Sequence, residues 1–299
     1  MAVMLGLLVA LFYGSGDFFG GLAAKRSPES AVVIGSFFVS ALCLIVVTAG
    51  WAVVGDLPVP AGRDVAIGVA AGLVGPVALG LLYRGLSTGR MSVVAPITAV
   101  VAAVVPFTWG MVQGERPSIA ALVGVGVALL AVGLISGAPS HPEDLAPAAG
   151  TPTNPPSGLV PTALASGLGF GIIFVLFGST SDHAGLWPLV TARPLSVAVA
   201  VGVLAVWSRR RGGGLRSAVF PAAGTWGTVA AAGVLDLTAN ALYIAGTQRG
   251  LLSIVAVLSS LYPATTVLLA RLVLSERLHR IQVSGLVMAI AGVVAMASG

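Results

Sequence analysis

Charged side chains make up only 8% of this 299-residue chain. A soluble domain usually carries roughly one quarter, so the scarcity excludes a water-soluble globule. Cysteine occurs once, at Cys43 within the apolar run "FFVSALCLIVV", which excludes an intrachain disulfide. Histidine occurs only at His141, His183 and His279, each in a polar connection and none at metal-ligand spacing. No metal site is expected from them. The net charge of +5 is not gathered into a basic cluster set in polar structure, so nucleic acid is not an expected partner. The phosphate-binding pattern G-x-x-x-x-G-K-[ST] is missing, which argues against direct use of ATP, and no cofactor is expected.

What is present is apolar. Hydrophobic residues reach 57% and mean hydropathy is +1.03. A bilayer core needs about 20 mostly apolar residues per helix. Ten stretches qualify, at about 2–24, 31–54, 64–83, 91–112, 118–137, 159–180, 186–207, 226–248, 251–274 and 279–298. The fold predicted is an all-α integral membrane protein with ten transmembrane helices. The amino end has no basic region ahead of its first apolar run, and Lys25-Arg26 follow that run. The first segment is therefore expected to remain as a membrane helix. Fourteen arginines against one lysine, with abundant Ala, Gly and Val, point to a high-GC bacterial genome and hence to a bacterial inner (cell) membrane. Residues 138–158, "APSHPEDLAPAAGTPTNPPSG", are rich in Pro and hold no Lys or Arg. Such a segment cannot bury a core and is expected to be a flexible linker. It divides the chain into a first five-helix repeat, 1–137, and a second, 159–299.

The two sets match each other at a shift of 161 residues. "AAGLVGPVALGLL" (70–82) lies over "AAGVLDLTANALY" (231–243), and "GERPSIAALVG" over "SERLHRIQVSG", pairing Glu115 with Glu276 and Arg116 with Arg277. Membrane composition inflates Ala, Gly and Val matches, but the shared Glu-Arg at one helix boundary indicates duplication. Five helices is an odd number, so the second copy must enter the membrane upside down. Lys and Arg in the loops after helices 1, 3, 5, 7 and 9 number 2, 2, 0, 4 and about 3, against 1, 1, 0 and 1 after helices 2, 4, 6 and 8. The positive-inside rule makes the first group cytoplasmic and both termini extracytoplasmic. Inverted repeats of this kind characterise secondary transporters, with the site near the midplane between the halves.

The ends of the two repeats carry a resemblance. "GLSTGRMSVVAPITAV…GERPSIAALVGVGVALLAVGLISG" and "GTQRGLLSIVAVLSSLYPATTVLLARLVLSERLHRIQVSGLVMAIAGVVAMASG" resemble the drug/metabolite transporter superfamily, specifically its ten-helix EamA group. The small-polar "S-V-V-A-P" entry to helix 4 and the "G/S-E-R" exit before helix 5 carry it. The resemblance covers nearly the whole chain and implies export or exchange of small metabolites without naming a cargo. Two features depart from the pattern. The proline breaks, Pro106 in helix 4 and Pro263 in helix 9, fall at different depths, and Ile172 of "GLGFGIIF" stands where helix 1 has Asp17. An asymmetric site is expected.

Asp17, in "FYGSGDFFGG", is the first candidate. A carboxylate at that depth costs several kcal/mol on insertion scales and turns toward a cavity or partner. Desolvation disfavours its charged form, which suits proton coupling. The resemblance adds that small four-helix multidrug carriers of the superfamily place a membrane acid in helix 1 eight residues before a lysine, the spacing of Asp17 and Lys25 here. The bland alternative is an Asp bonded across a glycine-lined helix contact among Gly14, Gly16, Gly20 and Gly21. Asp236 is the second deep acid, and these two are expected to be the only ones. Asn240 and Tyr243 follow it at four and seven residues and share its face, either in the cavity or in a packing network. Arg193 lies about 9 Å into helix 7 counted from Trp187, with Pro194 after it to open the local backbone. It could bind a carboxylate, pair with an acid, or snorkel. Tyr13, Trp187 and Tyr262 are candidates to line the cavity, although aromatic residues also belt the interface. The repeated Glu-Arg pairs are read as helix caps.

These features predict a secondary transporter, an exporter of small polar or zwitterionic metabolites with amino acids first, coupled to protons or to exchange. The runner-up cargo is a lipophilic cation. An integral membrane enzyme would need a nucleophile with a base, a metal cluster or paired acids near a membrane face, and no His or Cys joins the two deep acids. Two inverted halves in one chain need no antiparallel dimer, so a monomer is expected.

Overall fold

The computed structural model describes residues 1–54, 60–88, 91–137, 159–211, 218–274 and 280–298. Among these residues every regular element is helical. Eleven helices of eight or more residues follow in order: α1 (Ala2–Ala24), α2 (Glu29–Val54), α3 (Gly62–Thr88), α4 (Met91–Val112), α5 (Ile119–Gly137), α6 (Leu159–Gly178), α7 (Trp187–Arg211), α8 (Trp226–Thr247), α9 (Leu252–Ser259), α10 (Tyr262–Leu274) and α11 (Arg280–Ser298). Seven of them, α1, α2, α3, α6, α7, α8 and α11, are long and apolar enough to cross a bilayer. Shorter apolar stretches in α4 (Ile97–Val112), α5 (Ile119–Ile135) and across α9 and α10 (Leu252–Thr266) bring the number to ten. The expected linker 138–158 and the pair Glu276-Arg277 lie outside the described residues.

The prolines act differently from expectation. α4 runs unbroken through Pro106 and α7 through Pro194, while the ninth span divides at Ser260 and Leu261, just ahead of Pro263. A proline inside a helix removes one hydrogen bond, and neighbours in a membrane bundle can satisfy the freed carbonyl. Pro76 shows how. It cannot donate to Gly72, and the Gly72 carbonyl instead accepts the Ser196 hydroxyl of α7 at 3.2 Å.

The halves are interleaved. α1 packs along α8 and against α9 and α10, and α6 packs along α3 and α4. α2 touches α7 and α8, α3 touches α7, α4 faces α9, and α5 lies along α11. Small residues permit these approaches. A Cβ on Gly124 of α5 would stand 2.7 Å from the Gly292 carbonyl of α11, and a Cβ on Gly292 would stand 2.9 Å from the Gly124 carbonyl. Large apolar side chains such as Val46, Leu130 and Val287 point outward and are more than half exposed, as lipid contact requires.

Contacts between connections define two faces. At the terminal face, Asp64 accepts the Ser181 backbone N–H at 2.9 Å and the Ser181 hydroxyl at 2.6 Å, and Gln248 donates to the Ser181 carbonyl at 2.8 Å. Ala2 packs on Gly250 there. At the opposite face, the Ser27 hydroxyl lies 3.0 Å from that of Thr225 and accepts the Ala222 N–H at 2.8 Å.

Candidate functional site

Gly14, Gly16 and Gly20 of "FYGSGDFFGG" are buried in α1. At Gly16 the missing side chain lets the α8 backbone come close: a Cβ there would meet the Ala232 carbonyl and the Asp236 nitrogen at 3.5 Å. This contact brings Asp17 and Asp236 to one cavity, shared with Tyr13 of α1, Ser36 and Phe37 of α2 and Leu79 of α3. The cavity measures about 20 Å3, enough for about one water molecule. An amino acid does not fit in that volume.

The two acids have different surroundings. Asp236 is paired: its Oδ2 lies 2.6 Å from Arg193 Nη2 of α7. The Asn240 amide donates to the Asp236 carbonyl at 2.7 Å and to its Oδ1 at 3.2 Å. Tyr13 O–H in turn donates to Asn240 Oδ1 at 2.8 Å. The guanidinium of Arg193 sits 5.3 Å from the centre of the Phe37 ring, a cation–π arrangement. Arg193 is 6% exposed and its Nε has no acceptor. Snorkelling is thereby excluded in this conformation. Asp17 has no hydrogen bond or ion pair with the described residues, and the charge acting on it is that of Asp236. Lys25, the C-cap of α1, is exposed and does not pair with it.

The structure therefore joins Tyr13, Asn240, Asp236 and Arg193 in one chain of contacts, with Asp17 opposite. The other candidates lie outside this chain of contacts, although Tyr262 meets α1 at Gly14 and lies within electrostatic reach of Asp17. Tyr243 shares the α8 face but is fully buried and stacked on Phe174 at 4.7 Å, with its hydroxyl unpartnered. Tyr262 opens α10 and packs in the core around α5, α9 and α11. Trp187 begins α7 at the terminal face, two turns from Arg193. Ile172 points outward at 38% exposure. Sequence reasoning missed Phe37, Ser36 and Leu79, whose apolar or small side chains look like any lipid-facing residue. It also missed the burial of Asp64. Asp64 is 1% exposed, covered by the Ser181 loop at the start of α3. The carboxylate of Glu115 accepts the N–H groups of Leu252 and Ser253 at 2.6 and 3.0 Å, and so caps α9 in the other half of the chain.

Comparison with known proteins decides the family. Residues 1–137 and 159–298 both match the EamA-like transporter family. The chain belongs to that family. It is thus a multi-pass membrane transporter of the drug/metabolite type, and the family is one of transporters, not enzymes. A solved structure titled only as a crystal structure of a protein shares the fold of this EamA-like chain, with TM-score 0.70, 18% identity, and coverage of 98% of this chain and 95% of that one. An uncharacterized protein of Methanocaldococcus jannaschii, MJ1333.1, is 23% identical over 135 residues, which are 45% of this chain and 96% of that protein. A whole relative thus corresponds to less than half of the EamA-like chain.

Proposed function

We propose that this chain is a secondary active transporter that exports small polar or zwitterionic metabolites, amino acids first, in exchange for protons or other cargo. The observation that carries the reading is the unequal pair of acids. Asp236 is neutralised by Arg193, whereas Asp17 faces the same cavity with no cation beside it among the described residues. A lone carboxylate in an apolar bundle must take a proton or a cationic group, and either can displace the other. Arg193, with its free Nε, offers a carboxylate-binding fork once Asp236 moves aside. Together the two sites suit a zwitterion, with its ammonium group at Asp17 and its carboxylate at Arg193. Phe37 and Tyr13 supply the walls. A lipophilic cation is the second reading, favoured by the aromatic walls, but it leaves Arg193 without a task.

Alternating access follows from the proposed architecture of two inverted five-helix repeats, 1–137 and 159–299, joined by the 138–158 linker. Packing partners that recur between the halves support it: Gly72 and Gly233 are 161 residues apart, and Ser40 and Ser196 are 156 apart. The Gly72 carbonyl of α3 accepts Ser196 of α7, and the Gly233 carbonyl of α8 accepts Ser40 of α2 at 2.6 Å. The half-length relative is in keeping with duplication. Loop charge puts the terminal face outside a bacterial cell membrane, and a monomer suffices. Counterflow of labelled amino acids in proteoliposomes tests the cargo class. Exchange of zwitterions is expected, and uptake of aromatic cations alone would reverse the ranking.

A further inference from the structure

The α4–α5 connection belongs to the first half, yet its acid ends on the second. Gly114 adopts φ 92, a conformation that favours glycine, and the Glu115 N–H turns back to the Gly110 carbonyl at 3.0 Å. This fold of the backbone aims the Glu115 carboxylate at the first two N–H groups of α9, Leu252 and Ser253, at 2.6 and 3.0 Å. The α9 N-cap, Leu251, contributes no side-chain bond, so Glu115 supplies the cap. A carboxylate on exposed N–H groups at a helix N-terminus is held by both hydrogen bonds and the helix dipole.

Two further groups stand unsatisfied at this end. The hydroxyls of Ser253 and Tyr243 are buried, 0% exposed as residues, and have no partner among the described residues. Ser253 is in the capped turn itself, and Tyr243 lies within electrostatic reach of Glu115. Tyr243 also continues the α8 face that begins at Asp236 and Asn240 in the cavity. Along α8 the Tyr243–Phe174 stack thus stands between Asp236 and this end, where Glu115 covers the first N–H groups of α9.

We propose that the N-terminus of α9, with the Ser253 and Tyr243 hydroxyls, is a carboxylate subsite on the exit route, occupied in the closed state by Glu115 as an internal ligand. Opening of the terminal face withdraws Glu115 with α4 and α5. The carboxylate of the cargo then takes the vacated N–H groups on its way out. Glu115 is thus a positioning residue that holds the two halves together at one end and yields its place to the cargo. The proposal rests on the transport reading above, but its first test needs no cargo.

That test measures alkylation of Ser253→Cys by a membrane-impermeant maleimide, in a Cys43→Ala background, on purified protein in nanodiscs. Glu115→Ala should raise the labelling rate by about tenfold or more, the effect of losing a hydrogen-bonded charge. Millimolar acetate should bring the rate back toward that of the parent, and acetamide should not. Glu115→Gln, which keeps volume, gives the same readout if the alanine variant is unstable. An unchanged rate in both variants would overturn the latch, and equal rescue by acetate and acetamide would overturn the carboxylate subsite. Loss of counterflow with this labelling pattern intact would instead count against the transport reading alone.

Discussion

Arg193 and Asp236 meet at 2.6 Å across α7 and α8, while Asp17 lines a cavity with Asp236 and has no cation beside it among the described residues. This inequality sorts the three charges into a paired set and a free one. The paired set ties α7 to α8 within the second half, and Asp17 of α1 stands outside it.

Removing one member of the pair should cost more than removing both. Arg193→Gln leaves the Asp236 carboxyl without its cation in a site it shares with Asp17, and should lower stability by about 1–3 kcal/mol. The Asp236 side chain is 34% exposed, so the loss should fall toward the lower end. Combining Arg193→Gln with Asp236→Asn should recover part of it. Thermal unfolding of the single and double variants in detergent gives the coupling energy, and strict additivity would mean that the pair does not interact.

The α5–α11 seam should be intolerant of bulk. Gly124→Leu places a side chain against the Gly292 carbonyl, which a bare Cβ would already meet at 2.7 Å. Overpacking of this order costs about 1–3 kcal/mol. The midpoint of thermal unfolding should fall, whereas Gly126→Leu, where nothing lies within 4 Å, should leave it near that of the parent.

Orientation can be read by labelling intact cells. With Cys43 replaced, a cysteine at exposed Asp182 on the terminal face should react with an impermeant reagent. A cysteine at exposed Ala223 on the opposite face should not. The reverse pattern would invert the orientation and leave the fold untouched.

Much of this was legible in the sequence. Ten apolar stretches and a carboxylate stranded among glycines mark the spans and Asp17, because lipid admits so few charges that each one is conspicuous. Helical spacing put Asp236 and Asn240 on one face, where they bond. It put Tyr243 there too, but one turn further on that face leaves the cavity and meets Phe174. The pairing of Arg193 with Asp236 was not legible, since three outcomes for the arginine have the same local sequence and only the approach of α7 to α8 selects one. Phe37, Ser36 and Leu79 gave no signal, because a cavity wall and a lipid-facing wall use the same side chains. Asp64 looks like a loop acid, and its burial depends on Ser181, which is distant in sequence. The helices continue through Pro106 and Pro194, since a proline's local restriction does not by itself end a helix held in a bundle.

The central claim is that Asp17 exchanges a proton for cargo, and Asp17→Asn tests it most directly. The substitution keeps the size and hydrogen-bonding capacity of the side chain and removes its titration. Reconstituted in proteoliposomes, the variant should fold and insert like the parent and still exchange labelled for unlabelled cargo. It should lose the ability to concentrate cargo under an imposed pH gradient. Accumulation at the parent rate would contradict the account and leave Asp17 as a packing residue among the glycines of α1.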